Sequence, residues 1–396
     1  MQAFRPCQGV LLLLSCVCCL GACRGGSNAS TDVVFDGRLR DIEAPDFRRN
    51  AEAGEDSDVG EDAVDEIAAR QDASQDALPA LPNVVEKTDP GATWKCDDPA
   101  TCTEDYYQFL KMAPPAGKGR SAEDLAEMLA AIDAGEVPLI ETAQSAQELG
   151  QVISDALGIG FLLDGLAQRE LTVTTIETSQ RPDCIEKHLL FEDPWVGVFE
   201  GLLLLPKGEG PFPAVLAMHG HGDSAAIYRD SYHGNEYPGH GYAILMITFR
   251  AMGSGLAALT EYEVALKFME KGYALMGMRV YEGLLGLKYL RCVGQVDHGR
   301  IGMIGHSGGS STGNLLVRLD PGLSAYVSDH TIDWAEWEPT FKVIHCETVP
   351  DLYPYSTQIN NFATCAVPIL EVPYKYTNGM DEVFGFFDGR LLWDGR

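Results

Sequence analysis

Arg300-Ile-Gly-Met-Ile-Gly-His-Ser-Gly-Gly-Ser310 decides how the rest of the chain is read. Residues 301–304 form the short, mostly apolar run that a buried strand needs. Gly305-His306-Ser307-Gly308-Gly309 then fits G-x-S-x-G, ahead of small residues able to open a helix. On such a strand-to-helix turn, side chains at the flanking glycines would collide with neighbouring backbone, so the turn is sharp and Ser307 Oγ is pushed out at the carboxyl edge of a sheet. The pattern predicts a nucleophile at Ser307 and an oxyanion donor in the backbone N–H of Gly308. A purely structural glycine turn has the same spelling, so the neighbouring sequence has to decide.

The deciding context is Pro213-Ala-Val-Leu-Ala-Met-His-Gly-His-Gly-Asp223. An apolar strand over 214–218 runs into His219-Gly220-His221-Gly222, a strand-end glycine loop of the kind that supplies the second oxyanion donor, here the N–H of His221. With both elements in this order, residues 170–390 resemble the α/β-hydrolase superfamily, nearest its dienelactone-hydrolase-like and acetyl-esterase-like branches. The phrases that carry the resemblance are PFPAVLAMHGHG, YAILMITFRAMGSG, GLKYLRCVGQVDHGRIGMIGHSGGSS and DEVFGFFDGRLL. It implies an α/β fold with a mainly parallel sheet flanked by helices, a serine nucleophile, and hydrolysis of a small-molecule ester or related acyl bond without a cofactor.

Of the 396 residues, the first 23 read as an export signal: Arg5, an apolar stretch through Leu20 too short for a comfortable membrane span, and Leu20-Gly-Ala-Cys23. The last four residues resemble a bacterial lipobox, which makes Cys23 a lipidation candidate and places the protein in the bacterial cell envelope; the alternative is an ordinary signal peptide. Residues 24–95 read as a disordered acidic linker, with 19 acidic against 8 basic residues between Arg24 and Ala100. A net charge of −29 repels nucleic acid and anionic lipid, leaving the N-terminal anchor as the membrane contact.

Eleven cysteines divide into five in or at the signal and six beyond it. Cys96 and Cys102 are spaced for a small disulfide loop, natural in an exported protein. Beyond the signal there is no C-x-x-C, and a metal site is discounted.

Residues 96–170 read as a helical N-terminal extension: Ser121 with Asp124 resembles a capping box, and a second amphipathic segment covers 143–157. The hydrolase domain follows over 171–396. Strands are predicted over 171–176, 188–191, 196–205, 242–248 and 324–328, with one long helix over 261–291 returning the chain to the elbow strand.

The resemblance implies the order Ser, Asp or Glu, His, and the chain departs from it there. Residues 341–350 read as the acid strand and turn, yet Val349 precedes Pro350 where an aspartate is expected, and no histidine follows His345. The competing alignment makes 368–372 the acid strand, with Asp381 or Glu382 as the acid. His330 is the best-placed candidate for the replacement base, oriented by Asp329, Asp333 or Glu347, with Glu347 the chosen acid; His345 reads as buried in its strand, and His219, His221 and His306 as loop residues that shape the oxyanion site. Two functions stay open: a serine esterase with a rearranged triad, or a catalytically inactive hydrolase-fold lipoprotein with a binding or envelope role.

Overall fold

The computed structural model describes residues 83–92, 107–112, 119–140, 143–252, 259–329, 346–373 and 379–392, all within one compact unit, Glu61–Arg396. Cys23, Cys96, Cys102, His330, Asp333 and His345 lie outside the described residues, so the expectations resting on them stay as expectations.

Nine strands make one sheet in the order β1-β2-β3-β4-β6-β5-β7-β8-β9. They are β1 Val84–Thr88, β2 Leu171–Gln180, β3 Cys184–Asp193, β4 Gly197–Pro206, β5 Phe212–Met218, β6 Ala243–Thr248, β7 Val296–Gly305, β8 Ala325–Ser328 and β9 Ile369–Glu371. β2 to β4 run antiparallel and β4 meets β6 antiparallel, whereas β5 to β9 are parallel. A parallel strand is covered on both faces, and the side-chain period of two shows it. Ala214, Leu216 and Met218 of β5, with Ala243, Leu245 and Ile247 of β6, enter one apolar cluster. Val215 and Ala217, with Ile244 and Met246, enter the cluster on the other face. Fully burying one such aliphatic side chain contributes roughly 1.5–3 kcal/mol.

The larger cluster is closed by α1 Ala122–Asp133, α2 Ala146–Leu157, α4 Glu261–Glu270, α5 Leu275–Leu290 and α6 Gly308–Leu319; the smaller by α3 Ala225–Ser231 and α7 Asp381–Phe387. α1 has the expected capping box: Ser121 Oγ accepts from Asp124 N–H at 3.1 Å, and Asp124 Oδ2 from Ser121 N–H at 2.9 Å. Its Leu125, Leu129 and Ile132, with Leu149, Ile153 and Leu157 of α2, pack into the same core as the sheet. No helix among the described residues is long and apolar enough to cross a membrane.

Three expectations are corrected. The stretch read as linker contains β1, which pairs with β2 from Val84↔Leu171 to Thr88↔Thr175; backbone ladder bonds hold an edge strand that buries little side chain. The single helix over 261–291 is two, because Gly272 takes φ +80°, a left-handed conformation that ends α4 before α5 begins. Finally, β8 bonds directly to β9 through Tyr326↔Ile369, Val327↔Leu370 and Ser328↔Glu371. Residues 346–349 are a turn leading into the 3-10 helix Pro350–Tyr355, where proline withholds a ladder donor. Among the described residues the strand after β8 is therefore Ile369–Glu371, which the competing alignment takes as the acid strand; residues 341–345 lie outside the described residues.

Candidate active site

Ser307 stands between β7 and α6 with φ 49° and ψ −118°, a conformation L residues rarely adopt. Backbone packing enforces it. A Cβ added to Gly309 would lie 2.2 Å from the carbonyl oxygen of Met218, so the start of α6 presses against the end of β5. Asp329, at the end of β8, braces the turn: Ser307 N–H donates to its Oδ1 at 2.8 Å, the Ser310 hydroxyl donates to the same oxygen at 3.1 Å, and Nδ1–H of His306 donates to Oδ2. The carboxylate expected as an orienter of His330 thus points back into the elbow. His306 is buried, with its ring centroid 4.2 Å from that of Tyr232.

The glycine loop approaches from the other side, and a Cβ on Gly220 would come 3.0 Å from the Cβ of Ser307. His219 is fixed there as a neutral ring. Phe249 N–H donates to its Nε2 at 2.9 Å and its Nδ1–H donates to Gly220 O at 2.8 Å, while burial pushes the imidazole down to about 4. His219 and His306, expected in loops that shape the oxyanion site, are here buried braces of the glycine loop and the elbow.

His221, Gly308 and Glu347 meet beside Ser307. A Cβ on Gly308 would lie 2.8 Å from both Nδ1 of His221 and Oε1 of Glu347, so any larger residue there would push imidazole and carboxylate aside. The carboxylate oxygen is 3.8 Å from Nδ1, and the Nε2 side of the ring lies 2.9 Å from Sγ of Cys346. Burial pushes the Glu347 carboxyl up to about 7, against the positive charge of Arg279 and a hydrogen bond with Ser311. Burial likewise pushes the Cys346 thiol up to about 12. The structure thus groups Ser307 with three other predicted site residues, Gly308, His221 and Glu347. Asp381 and Glu382 are exposed in the first turn of α7.

Beneath these loops lie charges that motif reading missed. Arg279 of α5 is fully buried; its Nε donates to Arg250 O and its Nη1 to Cys346 O, both at 3.3 Å, and its Nη2 to Ala251 O. Arg250, in the loop after β6, forms a buried ion pair with Glu282 of α5, with Nε donating to Oε1 at 2.8 Å. The available signal was the pair Arg279 and Glu282, three apart in a helix whose one other charged residue is Lys288. Cys184, Cys292, Cys346 and Cys365 are thiols rather than disulfides.

Comparison with known proteins adds to this picture. No family model matches the chain. It is similar to the "Putative hydrolase YtaP" of Bacillus subtilis (strain 168), with 28% identity over 165 residues that cover 39% of this chain and 55% of that one. The match therefore spans about half of the curated relative's length. Among solved structures, a "putative acetyl xylan esterase" from Bacteroides fragilis NCTC 9343 superposes with a TM-score of 0.50 at 16% identity, over 65% of this chain and 76% of the other. The acetyl xylan esterase of Paenibacillus sp. R4 gives 0.46 at 12%, over 66% and 99%. A mostly parallel sheet between helical layers, a serine at its strand-to-helix elbow and the superposition on the Bacteroides structure together identify the α/β-hydrolase fold in this chain.

Proposed function

We propose that this protein hydrolyses carboxylic esters through an acyl-enzyme formed on Ser307. The observation that carries the reading is the elbow itself: a serine held at φ 49° by a buried aspartate, at the sheet edge where the glycine loop also ends. Ser307 Oγ attacks the ester carbonyl and His330 takes its proton. The tetrahedral oxyanion is held by the N–H groups of Gly308 and His221, and the alcohol leaves with the proton from His330. Water then repeats the sequence on the acyl-enzyme. Glu347 is the carboxylate that orients and balances the charge of this edge. Short acetyl esters are the first substrates to try, since the solved neighbours carry that activity in their names.

A fluorophosphonate probe on purified protein tests the reading directly. Labelling that disappears in Ser307→Ala, together with hydrolysis of a short chromogenic ester lost in both Ser307→Ala and His330→Ala, is the expected result. Activity should fall on acidification as the base becomes protonated. Hydrolysis surviving His330→Ala removes that base and leaves Ser307 standing. No labelling and no hydrolysis above the Ser307→Ala background would make the protein a hydrolase-fold binding protein instead. We also propose export and anchoring through a lipidated Cys23. Membrane fractionation of the wild type against Cys23→Ser tests this, and an intact mass showing another, unmodified N-terminus would overturn it.

A further inference from the structure

Three segments remote in sequence bring a nitrogen, a sulphur and an oxygen donor together beside Ser307. His221 comes from the glycine loop after β5, Glu261 from the first turn of α4, and Cys346 from the turn before the 3-10 helix. One ligand atom from each lies within 4.8 Å of the other two. This mixed set suits a borderline-soft divalent ion: zinc binds thiolate at about 2.3 Å and imidazole or carboxylate at about 2.0–2.2 Å, which in a tetrahedron spaces the donors about 3.3–3.6 Å apart. The 2.9 Å between Nε2 and Sγ needs to open by well under an ångström, and Glu261 needs to close by up to about 1.2–1.5 Å, a shift of one side chain.

The surroundings fit as well as the donors. Nε2 of His221 faces the sulphur while Nδ1 faces Oε1 of Glu347 at 3.8 Å, one small ring rotation from a carboxylate–histidine–metal relay. Arg279 donates to the carbonyl of Cys346 itself, fixing the main chain that carries the thiol. Charge also closes: a thiolate and the carboxylates of Glu261 and Glu347 offset a dication together with the buried guanidinium. The Cys346 side is sealed, whereas the His221 side chain is 35% exposed and gives an ion a way in from solvent.

We propose that His221 Nε2, Cys346 Sγ and a carboxylate oxygen of Glu261 bind one zinc-like divalent cation at the sheet edge beside Ser307, with Glu347 as the outer carboxylate and a fourth position open to water. The site stands independently of the esterase reading, because it would bind metal whether or not Ser307 is activated.

The test uses the full chain, stripped with a chelator and titrated with Co2+ alone. A thiolate-to-cobalt charge-transfer band should grow to saturation together with intense visible bands of four-coordinate cobalt, and Zn2+ should bleach both. Cys346→Ser should lose the charge-transfer band. Glu347→Gln should keep it but weaken cobalt binding by about 10–100-fold, as removal of an outer partner does. Should Cys346→Ser fail to fold by circular dichroism, Glu261→Gln, a half-buried residue at a helix start, carries the test with an expected weakening of at least tenfold. A folded wild type without the band, a band of full strength in Cys346→Ser, or unchanged affinity in Glu261→Gln would each overturn the site.

Discussion

Two arginines are buried under the same loops and are treated differently. Arg250 meets Glu282 side chain to side chain, so charge answers charge in direct contact through Oε1. Arg279 lies three residues before Glu282 on α5, yet its hydrogen bonds go to the main-chain carbonyls of Arg250, Ala251 and Cys346, and the carboxylates of Glu261 and Glu347 act on it from a distance. That direct pair holds the loop after β6 against α5. An arginine satisfied by carbonyls keeps its field available to ionisable neighbours, and here those neighbours surround Ser307. Burial alone therefore does not tell scaffold from site; the partner does.

The comparison can be broken by substitution. Glu282→Ala strands Arg250 as an uncompensated buried charge and should cost about 3–5 kcal/mol in urea unfolding, the largest loss expected in the core. Arg279→Met removes the donors of three carbonyls at about 1 kcal/mol each, a smaller loss of stability, but it should slow phosphonate labelling of Ser307 more than any change at Arg250 or Glu282. If the folded fraction of Glu282→Ala labels more slowly than Arg279→Met, the division of roles is wrong. Asp329→Asn leaves the elbow brace neutral and should cost about 1–3 kcal/mol by thermal melting, with slower labelling, because the Ser307 N–H, the Ser310 hydroxyl and His306 all lose a charged acceptor. Gly272→Ala should have the smallest effect, about 1 kcal/mol, because φ +80° is strained for alanine; it sits in the turn just before the helix that carries both Arg279 and Glu282 and so should disturb their two networks alike.

What could be read from the sequence was whatever is local. The elbow and the glycine loop each spell strand and turn within a dozen residues, and the capping box of α1 spans four. β1 was misread because two valines followed by Glu86, Lys87 and Thr88 carry no apolar pattern, and their ladder partner on β2 is more than eighty residues away. The acid strand was read in the more apolar stretch near 341–350, of which 341–345 lie outside the described residues; the described neighbour of β8 is the three-residue β9, whose place is set by that pairing. His221 was identified for its backbone N–H, but the meeting of its ring with Cys346, 125 residues on, has no signature in spacing. A search for ligands at short intervals cannot find donors that only the tertiary fold brings together.

The contact between Gly309 and the end of β5 also bears on how much the serine motif can say about the protein's history. The elbow glycines are held by packing, so a lineage that abandoned chemistry would still keep them or fail to fold. Ser307 is the reverse case: at φ 49° a glycine would be more comfortable than a serine, so stability alone would let drift erase the hydroxyl. In this molecule the glycines attest to architecture, and only the strained serine between them speaks for a use.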